Sequence, residues 1–458
     1  MNFRSLPAIV LFLAGATATW AQPSGSGTPR ILSLEECLRL GIDSSAPIHA
    51  GDASVEERRA RLAEMKMQIL PSALLSTSYV RLSDIDAGTL TATNPVTHAP
   101  VAEISLGDPI LDTMAMRLSV QQPLFLGLRI RGATEQSAAM LDAATGDRDR
   151  MAQSIATAIE KAYWSAAGAK ESASVFADYV SQAKRHLQDT TNFLAQGLVT
   201  RNEVLKAQMR LSGAETQQVE ADTALVAARM RLNLLLGRPW DAPVDTEPLP
   251  DQAPADDTTT ADVKQLITAG LSFRRELDSA RARIRADEAA LRMARAPLCP
   301  NVFLTGDVTM ADPNQRYFPQ TNEFKTTWSI GVLATLDAGK IPATLAQVEQ
   351  ASARLRRDTE ALSSTIDTIT QDVVTAYLNM QKSRQQVLNA EAFLAQADDN
   401  MRTTRSLFDT GAALDADVAD AEATLLSARL QHLTARIAVL TAASDLRLAI
   451  GQAPTGIR

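Results

Sequence analysis

The residue types that most often hold metals or act as nucleophiles are scarce in this chain of 458 residues. Its two cysteines, Cys37 and Cys299, are too few for a disulfide framework and form no CxxC pair. The four histidines follow neither an HExxH motif nor another metal-ligand spacing. They are His49, His98, His186 and His432. The sequence therefore predicts no catalytic residues, no metal site and no cofactor.

A pair of carboxylates is distinguished by its spacing. Asp417 and Asp420 lie three residues apart near the start of a predicted helix, so they share one helix face. The neighbouring Val418 and Ala421 belong to an apolar seam, which fixes the direction of that face. Such carboxylates can complement the helix dipole, which contributes about 0.3–1 kcal/mol, or repel one another and attract cations around a narrow pore. The residues alone leave both interpretations open.

The composition favours helix and argues against nucleic-acid binding. Aromatic residues make up only 4% of the chain and alanine is abundant, which suits long, close-packed helices. The net charge is -8, with basic and acidic residues interleaved along the chain. Because no basic patch is present in the sequence, nucleic acid is not an expected partner.

The N-terminus has the order of features that is typical of a secretory signal peptide. Arg4 precedes an apolar run, 6–16, and small residues around Ala21 follow it. We predict a signal peptide over 1–21. No later segment has the roughly 18 consecutive apolar residues that a membrane helix needs, and no cysteine follows the cleavage site as a lipid acceptor. The sequence therefore predicts an exported chain without a helical or lipid anchor.

The elements that must position any site form an internal repeat. Gly197 and Gly411 begin matching segments, and 411 minus 197 gives an offset of 214. Upstream, Gly41 and Gly270 match at a larger offset, since 270 minus 41 is 229. The change of offset means that the first copy carries an insert. We place it between Arg81 and Asp112 and predict a longer loop there.

The repeat predicts two similar units, each with a helix, two strands, a very long helix, a tight turn and a returning helix. The first unit spans 22–236, with helices 31–70, 129–195 and 201–236 and strands 72–84 and 113–125. The second spans 261–451, with helices 261–296, 340–410 and 415–450 and strands 301–311 and 324–336. A proline-rich linker, 237–260, joins the units, and 452–458 form a C-terminal tail.

The predicted strands have one apolar face and one polar face. Met114, Met116 and Leu118, for example, alternate with Ala115 and Arg117. A transmembrane barrel requires this pattern, but a soluble sheet with one buried face shows it too. Because even a small barrel needs about eight strands, four strands per chain could form a membrane barrel only if several chains contributed.

The predicted long helices are too extended for an ordinary globular domain. The segment 129–195 contains no proline and would form a rod on the order of 100 Å long. The returning helices carry apolar residues in steps of three and four, as at Val418, Ala421, Leu425 and Ala428. This spacing predicts coiled-coil packing, and the small alanines permit a close approach of the helices.

Two stretches carry a resemblance to a known family. The first leads from Gln196-Gly197-Leu198-Val199 to the segment 204–208, and the second leads from Thr410-Gly411 to the segment 417–422. Together with the signal peptide and the duplicated plan, they are similar to the TolC-like outer-membrane efflux family along essentially the whole mature chain. The resemblance implies a mainly α-helical protein with a transmembrane β-barrel. In that architecture, three chains each give four strands to one twelve-stranded barrel, and long helices form a periplasmic coiled-coil tunnel.

The resemblance also implies a function without enzymatic activity. The chain would be the exit duct of a tripartite efflux or type I secretion system in the bacterial outer membrane. Its partners would be two further copies in a homotrimer, outer-membrane lipid, a periplasmic adaptor and an inner-membrane pump. A periplasmic coiled-coil adaptor or structural protein is the alternative, and an enzyme is a third class. The cargo, whether drug, metal or polypeptide, is not specified by these residues.

Particular residues take roles only through the resemblance. Asp417 and Asp420 match the paired acidic positions that ring the closed entrance of the family's tunnel, so they are expected to form the periplasmic constriction. The adaptor is expected to dock at the tips of the two helical hairpins. The tip residues are Gly197, Leu198, Val199, Gly411, Ala412 and Ala413.

Overall fold

The computed structural model describes residues 30–84, 89–93, 95–97, 99–105, 110–250 and 262–452. The predicted signal peptide, 1–21, lies outside the described residues, as do 251–260 of the predicted linker and 453–458 of the predicted tail. Among the described residues, no helix combines the length and the apolar character needed to cross a bilayer.

Helices dominate the described ranges. The α-helices are α1 (Leu34–Ser44), α2 (Ala46–Met67), α3 (Arg129–Ala195), α4 (Arg201–Leu235), α5 (Val263–Phe273), α6 (Arg275–Arg295), α7 (Ile341–Asp409) and α8 (Asp415–Ala449). The strands are β1 (Arg30–Leu32), β2 (Ser72–Arg81), β3 (Thr89–Thr93), β4 (Pro100–Ser105), β5 (Asp112–Leu126), β6 (Val244–Thr246), β7 (Asn301–Asp312) and β8 (Lys325–Thr335).

The longest helices, α3 and α7, contain 67 and 69 residues. Proline occurs in α7 only at Pro342, in the first turn, where the missing N–H would have had no helical partner. Each long helix packs against its returning helix along a seam of small residues. In α4 this seam buries Ala207, Ala214 and Ala221, which recur every seven residues. The two helical hairpins are therefore close-packed coiled coils.

Four strands form one antiparallel sheet in the order β2-β5-β7-β8. Leu118, Val308 and Trp328 lie side by side on one face, and Trp328 is 71% exposed. In the adjacent row, Ser119 donates a hydrogen bond to Asp307 on the opposite face. The sheet thus has an apolar face that no described part of the chain covers, and its edge strands β2 and β8 pair only on one side.

The structure divides both helices that were predicted to lead into the sheet. The predicted helix 31–70 breaks at Ser45, because Pro47 has no N–H to bond to the Asp43 carbonyl and can lie only in the first turn of the next helix. The predicted helix 261–296 breaks at Arg274 without a proline. There the Arg274 Nε donates a hydrogen bond to the Ala449 carbonyl at 2.9 Å. Each break lies where the end of a returning helix packs, a tertiary contact that local sequence does not encode.

The insert between Arg81 and Asp112, predicted as a longer loop, contains a two-stranded hairpin. Strands β3 and β4 pair antiparallel, with Thr91 opposite Glu103. Three threonines in β3 supply β-branched residues, which favour extended backbone. The prediction of a loop was therefore wrong for 89–93 and 100–105.

The described part of the linker, 237–250, crosses the helices and joins the two halves. Strand β6 pairs in parallel with β1, and Asp245 lies 2.6 Å from the Lys170 Nζ of α3. Beyond the strand, Leu249 packs in an apolar cluster with Leu433 of α8. The Leu249 carbonyl also accepts a hydrogen bond from Arg436 of α8 at 2.9 Å. This segment therefore fastens α8 of the second half to α3 of the first.

Two equivalent apolar clusters anchor the helix breaks to the long helices. The first includes Leu38, Ile159, Tyr163 and Leu232, and the second includes Leu266, Ile369, Val373 and Leu446. Cys37 belongs to the first cluster and is fully buried. Burial, with a smaller contribution from the charge of Glu36, raises the pKa of the Cys37 thiol to about 12. The thiolate that reacts with electrophiles is therefore scarce at neutral pH.

We expect Cys37 to resist maleimide labelling in the folded protein. In a Cys299→Ser variant, which leaves Cys37 as the remaining thiol, mass spectrometry should detect no label at neutral pH until denaturant is added. Rapid labelling under native conditions would show that the α1 cluster opens readily.

Candidate functional site

The tips of the two hairpins share one backbone design. Gly197 and Gly411 have φ angles of +72° and +76°, in the left-handed region that favours glycine. The following amides, of Leu198 and Ala412, donate back to carbonyls at the ends of α3 and α7 at 2.9 and 2.8 Å. These bonds satisfy helix-end carbonyls and let the chain reverse sharply. Both long helices therefore end in the same glycine turn.

The tip residues present mainly exposed surface. Leu198 is 67% exposed, and Leu414, just beyond the second turn, is 72% exposed. Of the six residues predicted to dock a partner, Gly197, Leu198, Gly411 and Ala412 are exposed, whereas Val199 and Ala413 are partly buried. The tips thus offer apolar side chains at the end of the helices farthest from the sheet.

Asp417 and Asp420 both lie exposed in the first turns of α8. The Asp417 Oδ2 accepts a hydrogen bond from the Leu414 N–H at 2.9 Å, so this carboxylate caps the helix. The Asp420 side chain makes no hydrogen bond or ion pair with any described residue. Helix capping therefore accounts for Asp417 but leaves Asp420 without a local structural role.

An ion cluster that the sequence analysis did not predict joins the two hairpins beside these aspartates. Asp415, the first residue of α8, lies 2.8 Å from His186 Nε2 on α3 and 3.2 Å from Arg210 Nη1 on α4. His186 is only 5% exposed. The hydrogen bond from His186, together with Arg210, holds the pKa of the Asp415 carboxyl below its usual value despite burial. The cluster fixes the start of α8 to both helices of the other hairpin.

A second carboxylate lies in the seam between the two hairpins, and its electrostatic surroundings have the opposite effect on its pKa. Glu422 lies two turns further along α8 and is 9% exposed. Burial raises the pKa of its carboxyl, although the nearby His186, Arg405 and Arg210 oppose this rise. Burial also raises the pKa of Tyr179 on α3, with a further contribution from Glu422. The seam therefore combines one carboxyl that favours ionisation with one that resists it.

Only tertiary packing brings this cluster together. His186 precedes the first glycine turn and Asp415 follows the second, so they lie 229 residues apart (415 minus 186). The one local signal was the acidic start of α8, and it pointed equally to Asp415 and Asp417. The periodicity of apolar residues predicts the buried seam within each hairpin. It does not predict that α3 of one hairpin packs against α8 of the other.

We expect Asp415→Asn and Glu422→Gln to change stability in opposite directions at neutral pH. A carboxyl with a depressed folded pKa stabilises the fold above its ordinary value, here 3.8, and this contribution is lost as the pH falls through the lower folded value. A carboxyl with a raised folded pKa lowers stability as the pH rises from its ordinary 4.5 through the higher folded value. Asp415→Asn should therefore lower the temperature of half-unfolding, and Glu422→Gln should raise it.

Thermal scans by far-UV circular dichroism at several pH values would measure these differences. The effect of Asp415→Asn should shrink as the pH falls below 3.8, because protonation then removes the same charge in the parent. Asp409→Asn, at an exposed position near the same tip, is a suitable control. A Glu422→Gln protein that is less stable than the parent at neutral pH would contradict this account of the seam.

A cleft of about 920 Å³ continues along the seam from this cluster. Its lining includes Phe176 and Tyr179 of α3, Phe393 of α7 and Leu430 of α8. Because both hairpins contribute side chains, the width of the cleft depends on how the hairpins pack against each other.

Comparison with known proteins relates this geometry to one family. A family model described as outer membrane efflux protein matches residues 40–238 and 266–452, which includes most of both halves. The alkaline protease secretion protein AprF of Pseudomonas aeruginosa is 24% identical over 431 residues, covering 92% of this chain and 84% of that protein.

Solved structures share the fold at low identity. The Campylobacter jejuni CmeC outer membrane channel aligns with a TM-score of 0.77 at 16% identity, covering 98% of this chain and 93% of that chain. The outer-membrane channel OprN aligns with a TM-score of 0.75 at 19% identity, covering 91% of this chain and 89% of that chain. The similarity extends over the helical hairpins and the sheet together.

Proposed function

Because the chain belongs to the outer membrane efflux protein family, we propose that three copies of it assemble into one duct that runs through the outer membrane. The chain is the exit duct of an efflux or secretion system and is not an enzyme. The predicted family, function and outer-membrane location are thus confirmed. The alternative of a periplasmic adaptor is set aside, because the family model spans both halves of the chain.

The main support for a trimer is the four-stranded sheet, which has two open edges. Among the described strands, β2 and β8 are edges with unpaired backbone groups on one side, and each such group would cost several kcal/mol in lipid. Pairing β2 of one copy with β8 of the next removes every edge when the ring closes. Three copies supply the twelve strands that the family resemblance implies, with the apolar face toward lipid and the Ser119 face toward the lumen.

The helical hairpins then extend away from the membrane into the periplasm. Their tips lie at the far end of helices on the order of 100 Å long, where a periplasmic adaptor connected to an inner-membrane pump can reach them. The exposed Leu198 and Leu414 supply apolar contacts for such a partner. Asp417 and Asp420, at the same end, line the constriction that controls entry.

Reconstitution of the purified full chain would test this function. The protein–detergent complex should have three times the mass of one chain by light scattering, and it should produce discrete conductance steps in planar bilayers. Heat-denatured protein is the control. A stable monomer that inserts into membranes would contradict the trimer, and a folded, inserted trimer without conductance would contradict the duct.

A further inference from the structure

A cleft of about 470 Å³ lies at the junction between the sheet and the long helices. Its apolar part comes from the end of β5 and the residues after it, where Leu124, Phe125 and Leu128 are 57%, 42% and 55% exposed. Phe125 pairs with Val302 on the same face of the sheet as Leu118. The cleft therefore continues the apolar face that the trimer would present to lipid.

The rim of this junction cleft carries an excess of positive charge. Lys66 at the end of α2 and Arg129 and Arg131 at the start of α3 line it, and Glu135 is the one carboxylate among its lining residues. Arg131 and Arg292 both form ion pairs with Glu135. Lys66 and Arg129 are exposed and form no ion pair with any described residue. Two cations beside an apolar surface are thus left without a partner carboxylate.

The position of these cations opposes the preference of the helix. The N-terminus of a helix is the positive end of its dipole and favours acidic side chains, yet the first turn of α3 has none and contains Arg129 and Arg131. An anion bound in the cleft would offset this local repulsion. The second half of the chain has an equivalent junction between β8 and α7. There α7 begins with Ile341, and the Lys340 Nζ forms an ion pair with the Asp337 carboxylate at 3.0 Å. The unneutralised pair is therefore a property of the first junction.

We propose that the junction cleft binds the headgroup of an anionic phospholipid from the periplasmic leaflet of the outer membrane. Lys66 and Arg129 contact the phosphate, and Leu124, Phe125 and Leu128 contact the acyl chains. The cleft lies between the proposed membrane-spanning sheet and the periplasmic helices, which is the level of the headgroups. The assignment rests on the proposed insertion of the sheet into the membrane.

Native mass spectrometry of the delipidated full-length assembly would test this site. Phosphatidylglycerol and phosphatidylcholine with identical acyl chains should be titrated separately. The parent should bind phosphatidylglycerol more tightly, because the choline cation of phosphatidylcholine offsets the charge of its phosphate. Lys66→Gln with Arg129→Gln should weaken phosphatidylglycerol binding roughly tenfold and phosphatidylcholine binding much less. Arg295→Gln with Lys340→Gln removes two charges at the other junction and should bind phosphatidylglycerol like the parent.

Several outcomes would overturn the proposal. These are equal binding of the two lipids by the parent, undiminished phosphatidylglycerol binding by the double variant, and equal losses in the two double variants. Displacement of phosphatidylglycerol by an equal concentration of inorganic phosphate would reduce the cleft to a free-phosphate site. Circular dichroism of each variant checks its fold. Conductance of the same preparations tests the duct separately, so a conducting protein without lipid preference would refute the lipid site alone.

Discussion

Replacing Asp417 and Asp420 together with alanine should enlarge the single-channel conductance severalfold and weaken block by multivalent cations. In the proposed trimer, two carboxylates from each chain surround a narrow entrance. They bind cations there and narrow the path for other ions. Opposite charges at about 4 Å attract by roughly 4 kcal/mol at a protein surface. Because each tenfold change in affinity needs only about 1.4 kcal/mol, the loss of these charges should weaken cation block at least tenfold.

The variants can be designed to separate charge from helix capping. Asp417→Asn with Asp420→Asn retains an oxygen that can accept the Leu414 N–H, so it removes the charges with little cost to the start of α8. It should relieve cation block as fully as the alanine pair. Planar-bilayer recordings with divalent and trivalent cations provide the measurement.

The other hairpin supplies a matched control at the same helical positions. Glu203 and Lys206 precede Asp417 and Asp420 by the repeat offset of 214 and pair with each other at 3.0 Å. Replacing both with alanine leaves the net charge unchanged and should preserve conductance and block. If the double asparagine variant conducts and is blocked like the parent, then the two aspartates do not form the constriction, and Asp417 serves only to cap α8.

Truncating Arg447 should cause a large loss of stability, greater than that of Asp415→Asn. Arg447 of α8 forms an ion pair with Glu160 of α3, and the two residues are 7% and 2% exposed. Arg447→Ala would leave the Glu160 carboxylate buried without its partner, at a cost of about 3–5 kcal/mol. We expect the temperature of half-unfolding, read by circular dichroism at a fixed scan rate, to fall by several degrees.

A surface ion pair and a double replacement complete this test. Arg61 and Glu64 lie 2.7 Å apart with side chains 58% and 56% exposed, so Arg61→Ala should cost at most about 1 kcal/mol. Glu160→Met with Arg447→Met removes both buried charges and should recover most of the stability that Arg447→Ala loses. A double variant as unstable as Arg447→Ala would show that packing, and not the unpaired charge, causes the loss.

The sequence predicts much of this fold because its main signals are local and repeated. Glycines such as Gly197 and Gly411 mark turns that need a positive φ, and the alternation through Leu118 and Val308 follows from the two faces of a strand. These patterns give the mainly helical character and the amphipathic sheet. Pro47 is a local signal for the break at Ser45, but no local residue predicts the break at Arg274, where the end of α8 packs.

The sequence predicts only those residues of the candidate site that lie within one turn of a single helix. Asp417 and Asp420 are adjacent on α8, so their spacing is visible in the sequence. The cluster around Asp415 takes one residue from each of three helices, and the Glu160–Arg447 pair joins the two halves of the chain. Arg447 corresponds by the offset of 214 to Asn233, whose side chain instead donates to the Ala242 carbonyl. Because the repeat does not preserve such contacts, internal comparison could not reveal them.

The order of strands in the sheet imposes a sequence of events on synthesis and export. The central pairing joins β5 to β7, so Leu118 can pair with Val308 only after β7 has been synthesised and exported. Strand β8, which pairs with β7, is synthesised after it. The hairpin of α3 and α4, by contrast, closes through nearby residues soon after Gly197 has emerged. Local contacts form faster than distant ones. The first hairpin therefore folds while the first two sheet strands still lack β7, and the sheet assembles only after nearly three quarters of the chain (335 of 458 residues) has crossed the inner membrane.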